Sequence, residues 1–394
     1  MFMLNQHADY RKSLDPLDAE TLSVEASEEV ERFLHHRENH KVTPLHALPA
    51  LAKQLSVGAI HVKDEGFRLG LGSFKALGGS YAVIRLVLEE ASKRLGRNVD
   101  VGELHNPEIR AIAATMTFAC ATDGNHGRSV AQGAQLVGAT AVIFVHSGVS
   151  EERSAAIGRY GARMVRTAGN YDDSVAKASQ EAAENHWTVV SDTSWPGYER
   201  IPGLVMQGYT AMVCEALRQI PKLPTHVFVQ AGVGGVAATV AGHLAVVLRE
   251  KRPTFVVVEP ARAACIYETA RAGHSVKIES GEPTVMAMLE CYEPSLVAWR
   301  VLSRVADGFM TIEEEDAVGV MNRLAHPSGN DPAIIAGESG GAGLAGLIRA
   351  MADRDIATKL DLGASSRIFV INTEGATDPE RYAQLVPQGR NTVT

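Results

Sequence analysis

The chain predicts an α/β fold built on parallel sheet, and two observations carry that expectation. Short β-branched apolar runs alternate with longer helical patterns, and glycine-rich turns join the end of a strand to the start of a helix. In chain order, Val30, Phe33 and Leu34 stand at helical spacing within 26–36 and predict an amphipathic helix. The alternation Ile60-His61-Val62-Lys63 predicts a strand, as does the apolar run 112–121, which leads through a glycine turn into a helix over 128–137. Strands are expected at 141–145, 163–165 and 188–190, with helices at 151–160 and 172–185 between them. A further strand at 226–230, a glycine turn, a small-residue helix at 238–247 and a strand at 255–258 continue the alternation. The stretch from Gly96 to Pro107 is expected to be an exposed connection.

A length of 394 residues allows two or three domains with substantial cores. With 45% hydrophobic and 21% charged residues the composition is that of a globular chain, so disorder is not the default. A formal charge of −8 without a basic cluster argues against a nucleic-acid partner. No apolar run approaches a membrane span, and residues 1–11 lack the basic start and apolar core of a signal peptide. Cys120, Cys214, Cys265 and Cys291 are too few and too scattered for a secreted disulfide scaffold, which makes the cytoplasm the expected compartment.

Three motifs carry chemistry. In Gly72-Ser73-Phe74-Lys75 a lysine stands beside small residues and an aromatic shortly after a strand, where an amine can lose solvation and become a nucleophile toward a carbonyl. A solvated surface lysine is the plainer reading of that motif alone. In Thr122-Asp123-Gly124-Asn125-His126-Gly127 the glycines at a helix start leave backbone N–H groups open to an anion such as a carboxylate. Alone, it reads equally as an Asp cap with turn glycines. No second His or Cys lies at metal-ligand spacing from His126, so no metal site is expected. In Gly232-Val233-Gly234-Gly235-Val236-Ala237 successive N–H groups and the positive end of a helix suit a phosphate.

That third motif also matches G-x-G-x-x-A after a strand, with Glu259 about twenty residues on, as in a dinucleotide fingerprint. Taken alone it predicts a nicotinamide-dependent dehydrogenase. Its position past the midpoint of the chain and the presence of Gly72-Ser73-Phe74-Lys75 argue against that class.

The lysine, the Asn loop and the glycine loop, in that order, resemble the fold type II, tryptophan-synthase-β-like family of pyridoxal-phosphate enzymes. The resemblance runs from Thr43-Pro44-Leu45 to Asn372-Thr373-Glu374-Gly375. It implies two parallel-sheet αβα domains with the cofactor between them, a discontinuous large domain of residues 1–78 and 193–394 enclosing a small one of residues 79–192. It further implies that Lys75 carries the cofactor as a Schiff base and that Phe74 lies near the ring. Asn125 would bond the phenolic oxygen, Gly232, Val233, Gly234 and Gly235 would hold the phosphate, and Thr373 would face the pyridine nitrogen. A neutral threonine there does not enforce protonation of that nitrogen.

One departure narrows the resemblance. Serine and threonine dehydratases of the family usually have a hydroxyl residue where this chain has Asp123, whereas diaminopropionate ammonia-lyases have Thr-Asp-Gly-Asn-His-Gly. Ser191-Asp192-Thr193-Ser194-Trp195, the run 285–291 and Glu338-Ser339-Gly340-Gly341 resemble the same lyases. That resemblance implies a carbon–nitrogen lyase that eliminates ammonia from both isomers of 2,3-diaminopropionate, giving pyruvate and two ammonia. Lys75, Asp123 and Asp192 would be catalytic, and Thr122, Asp123 and His126 would bind substrate. A small amino acid would be the only partner besides a second copy in a homodimer. The alternatives are a serine or threonine dehydratase of the same fold, a noncatalytic pyridoxal-phosphate-binding protein, and the dehydrogenase.

Overall fold

In the computed structural model, which describes residues 1–122, 124–169 and 171–387, the chain divides into two compact units. One comprises Met1–Asp15, Val42–Phe67 and Glu215–Thr394, the other Pro16–Lys41 and Arg68–Cys214. The limits at 79 and 192 implied by the resemblance concern the family's domains and stay a proposal.

The described residues form eleven strands: β1 (Phe2–Leu4), β2 (Leu45–Ala47), β3 (Ala59–Asp64), β4 (Thr117–Ala121), β5 (Thr140–His146), β6 (Arg163–Thr167), β7 (Thr188–Val189), β8 (His226–Gln230), β9 (Thr254–Pro260), β10 (Gly308–Ile312) and β11 (Arg367–Asn372). The first unit holds a seven-stranded sheet in the order β1-β10-β9-β8-β11-β3-β2. Its five inner strands run parallel, and the short edge strands β1 and β2 pair antiparallel. β8 and β10 are buried along their whole length and β9 from Phe255 on, because helices cover both faces of a parallel sheet and leave no polar side for alternation to show. Phe228, Val256, Val258, Met310, Ile368 and Val370 are the centre of that core.

The second unit holds a four-stranded parallel sheet, β6-β5-β4-β7. The helix Lys75–Leu95 packs against the helix Asn125–Val137 along a seam of small residues. A Cβ on Gly133 would lie 2.8 Å from Ser80 Cα, and one on Gly79 would lie 2.9 Å from Ser129 Oγ. Ser80 N donates to Ser129 Oγ at 2.9 Å, which satisfies a buried hydroxyl in the seam.

The expected strands and helices overlap observed ones, but the run 112–121 is strand only over Thr117–Ala121, its first two residues ending the helix Pro107–Ala113, and the helix expected at 151–160 stops at Gly158. Two further differences concern loops. The helix after the Asn loop begins at Asn125 and the one after the glycine loop at Gly235, so both motifs stand at helix starts. The stretch expected to be an exposed connection instead carries a 3-10 turn, Val101–Glu103, closed by a capping box at Asp100. It buries Val99, Val101 and Leu104, because apolar residues spaced two and three apart share one face of such a turn.

Candidate active site

Two groups of buried polar residues stand out, one in each unit. In the second unit, Lys75 opens its helix, with Phe74 as the preceding cap residue. The crossing of this helix with Arg200–Gln219 is set by two glycines. A Cβ on Gly208 would lie 2.7 Å from Leu77 O, and one on Gly78 would lie 2.5 Å from Tyr209 Cε1. This close approach seats Tyr209 against Phe74, edge to face, with centroids 4.8 Å apart. Lys75 Nζ stands 6.0 Å from the centroid of the Phe74 ring.

Lys75 Nζ forms an ion pair with Asp192 Oδ2, which follows β7. The Asp192 side chain is only 13% exposed. Burial works to raise its pKa, but the charge and hydrogen bond of Lys75 outweigh burial and hold the carboxyl well below the usual range. His126 Nε2 lies 2.8 Å from Val190 O, which fixes the proton on Nε2 and leaves the Nδ1 lone pair toward Asp192 Oδ2, 4.0 Å away. Burial lowers the pKa of His126, so the ring is neutral at pH 7. Three predicted residues, Lys75, Asp192 and His126, thus come together from positions far apart in sequence.

The Asn loop is shaped by Thr122, whose hydroxyl oxygen accepts from Gly124 N at 3.0 Å and Gly127 N at 3.1 Å. Asn125 is buried in the first turn of its helix. Asp123 lies outside the described residues. Cys120 at the end of β4 is fully buried, and burial pushes its thiol up, which makes it a packing residue.

In the first unit, β8 ends at Gln230 and residues 231–234 turn the chain into the helix Gly235–Leu248. Gly234 has φ +99°, where a Cβ would also meet Ile266 Cδ1 at 3.0 Å; a Cβ on Gly232 would meet Cys291 Sγ at 2.9 Å. The amides of Gly235, Val236 and Ala237 precede the first i→i−4 donor of the helix, Ala238 N, which bonds Gly234 O at 2.8 Å. A glycine cradle with no room for side chains and open amides at a helix N-terminus fits a phosphate.

Glu259, the acidic residue of the dinucleotide pattern, is not available to a ribose. It is fully buried and accepts from Ile266 N at 2.8 Å and Tyr267 N at 2.6 Å, capping the helix Cys265–Ala272, and burial raises its pKa to about 8. Cys265 Sγ, next to that cap, donates to Gly232 O at 3.6 Å and steadies the glycine loop. All four cysteines are free thiols. Thr373, just past β11, is buried, and its Oγ1 accepts from Gln230 Nε2 at 2.8 Å.

Sequence reasoning missed Gln230, Tyr209 and the capping use of Glu259. Gln230 left a signal, a polar residue ending a wholly apolar strand directly before the glycine loop. Tyr209 left none, since it reads as one more apolar residue of a buried helix. Among the described residues, no group of three or more His, Cys, Asp or Glu side chains is placed to hold a metal. No described helix is long and apolar enough to cross a membrane.

Residues 37–374 match the family of pyridoxal-phosphate dependent enzymes, and the chain belongs to that family. Its fold is accordingly the type II fold of these enzymes, and pyridoxal phosphate is its cofactor. Within the family it is similar to diaminopropionate ammonia-lyase of Escherichia coli strain K12, at 40% identity over 362 residues, 90% of this chain and 89% of the relative. The Salmonella typhimurium enzyme of the same name is 37% identical over 386 residues, 94% of each chain. The solved structure of the Escherichia coli enzyme in complex with D-serine superimposes with a TM-score of 0.88 at 37% identity, covering 100% of this chain and 98% of that one.

Proposed function

We propose that this chain is a diaminopropionate ammonia-lyase, converting both isomers of 2,3-diaminopropionate to pyruvate and two ammonia. The observation that carries the reading is the ionised Asp192 beside Lys75, with neutral His126 behind it. Pyridoxal phosphate supplies an electron sink that makes the Cα proton of an attached amino acid acidic. The chain's own residues then have to hold, orient and move protons.

Lys75 is the proposed attachment point and, once displaced by the substrate amine, a base 22% exposed at the helix start. A proton taken from Cα makes Lys75 an ammonium, which Asp192 stabilises as an ion pair. The same proton is then available to the β-amine, which leaves as neutral ammonia. Held below the usual carboxylate range, Asp192 stays ionised at neutral pH, so it serves as a counter-charge for Lys75 or the β-ammonium of substrate. By the family resemblance Phe74 would lie near the ring, Asn125 would bond its phenolic oxygen, and Gly232 to Gly235 would hold the phosphate. Thr122 and His126 bound the substrate carboxylate. The remaining nitrogen of the three-carbon product departs on hydrolysis as the second ammonia.

For the D-isomer the proposed base is Asp123; this rests on the Thr122-Asp123-Gly124-Asn125 resemblance. Pyruvate release from each isomer and from serine tests the whole reading. Asp123→Asn should slow the D-isomer about 10²- to 10⁴-fold while sparing the L-isomer. Equal slowing of both isomers would make Asp123 a loop cap, and faster turnover of serine would favour the dehydratase. A homodimer and a cytoplasmic location are part of the same proposal, on the family resemblance.

A further inference from the structure

Asp192 stands three residues past the end of β7, a strand of only two residues. The chain leading to it is pinned group by group. Val190 N donates to Ala119 O of β4 at 2.8 Å, and Val190 O lies 2.8 Å from His126 Nε2. One hydroxyl holds the residues on either side of Val190: Tyr198 Oη donates to Val189 O at 2.8 Å and accepts from Ser191 N at 3.1 Å. A carbonyl can only accept and an amide N–H can only donate, so both roles of the phenol are fixed by its partners. Past the carboxylate, Thr193 N donates to Ser191 Oγ at 3.2 Å.

Tyr198 is itself held by a tight turn. Trp195 and Tyr198 form an antiparallel bridge, with Tyr198 N donating to Trp195 O at 2.9 Å. Between them Pro196 supplies a fixed φ, and Gly197 sits at φ +84°, where any side chain would be strained. The turn stacks the two rings, with centroids 4.2 Å apart and planes 16° apart. The stack fixes the phenol ring and with it the place of the hydroxyl. A group that handles charge during a reaction has to be held to about 0.5 Å by its supporting residues. Without the hydroxyl, Val189 O and Ser191 N would turn to water, and the segment carrying Asp192 would gain freedom beside Lys75.

We propose that Tyr198 is a positioning residue for the elimination: its hydroxyl bridges residues 189 and 191 and so keeps Asp192 against Lys75. This rests on the proposed counter-charge role of Asp192. Tyr198 acts through that carboxylate alone, and Trp195 supports it by holding the ring.

The test is a double-mutant cycle on the full chain loaded with pyridoxal phosphate, reading kcat and KM for 2,3-diaminopropionate, with thermal unfolding as the check on folding. Tyr198→Phe keeps the ring and its stack and removes only the hydroxyl. It should lower kcat about 10- to 10²-fold, as a small misplacement of a reacting group does, with KM within about threefold. In an Asp192→Asn background the same change should cost less than about twofold, because the carboxylate it positions is already gone. Trp195→Leu, which keeps the hydroxyl and frees the ring, should show a smaller loss in kcat that also vanishes in the Asp192→Asn background. Equal losses from Tyr198→Phe in both backgrounds overturn the proposal, since the hydroxyl then acts by some route other than Asp192. Native kcat in Tyr198→Phe overturns it as well. Should Tyr198→Phe fail to fold, Trp195→Leu decides on the same terms. If Asp192→Asn itself keeps native turnover, the counter-charge role is wrong, and the proposal falls with it for that separate reason.

Discussion

Replacing Asp192 by Asn removes one charge from the Lys75–Asp192 pair while keeping the shape of the side chain. Breaking a fully buried pair from one side costs about 3–5 kcal/mol. Here the two side chains are 22% and 13% exposed, so water recovers part of that and about 1–3 kcal/mol of stability is the expected loss. The catalytic loss should be larger, about 10²- to 10⁴-fold in turnover, because the variant also loses the counter-charge for the proton carried by Lys75. The pH dependence separates the two effects. The folded pKa of Asp192 is depressed, so its stabilising contribution is fully present above the unfolded value of 3.8 and is lost only as pH falls through the lower folded value. Between pH 5 and 8 the group does not titrate, and the activity ratio of native to variant should be flat across that window. Initial rates of pyruvate release, with thermal unfolding of both proteins in the same buffers, measure this. A ratio that changes tenfold between pH 5 and 8 would show Asp192 exchanging its proton there and would refute the counter-charge role.

Lys75→Ala should abolish elimination, and borohydride should no longer fix pyridoxal phosphate to the chain; a reduced adduct on another lysine would displace the assignment. Gly234→Val should weaken cofactor retention at least about tenfold, since φ +99° strains any side chain and its Cβ would meet Ile266 at 3.0 Å; equilibrium dialysis reads it. Glu259→Gln should cost about 1 kcal/mol through a weakened helix cap and leave NAD binding absent, as titration by calorimetry would report. His126, whose folded pKa is lowered by burial, should make the protein lose stability as pH falls below its unfolded value of 6.5, and His126→Gln should remove that part of the acid sensitivity in denaturant titrations.

Local features of this fold were legible in the sequence because they are written in neighbouring residues. Gly232 to Gly235 reads as a strand-to-helix turn, and a helix does begin at Gly235. The Asn loop reads as a helix start for the same reason, and Asn125 does begin one. The sheet orders were not legible, since β8, β9 and β11 are apolar through their centres, with no alternation to mark a face or a register. Nor was the pairing of Lys75 with Asp192, which depends on how β7 and the helix Lys75–Leu95 meet in space. Glu259 shows the limit most plainly. Its spacing from the glycine loop mimics a ribose ligand, and only the hydrogen bonds from Ile266 N and Tyr267 N reveal a helix cap.

The proposed reaction is elimination of ammonia from a diamino acid, with pyridoxal phosphate as cofactor. Its most direct test is the stoichiometry of the purified, cofactor-loaded protein with 2,3-diaminopropionate, measuring ammonia and pyruvate in one reaction with serine and threonine in parallel. Two ammonia for each pyruvate are expected, at a rate well above that from either hydroxy amino acid. One ammonia per keto acid from serine or threonine, with diaminopropionate inert, would contradict it.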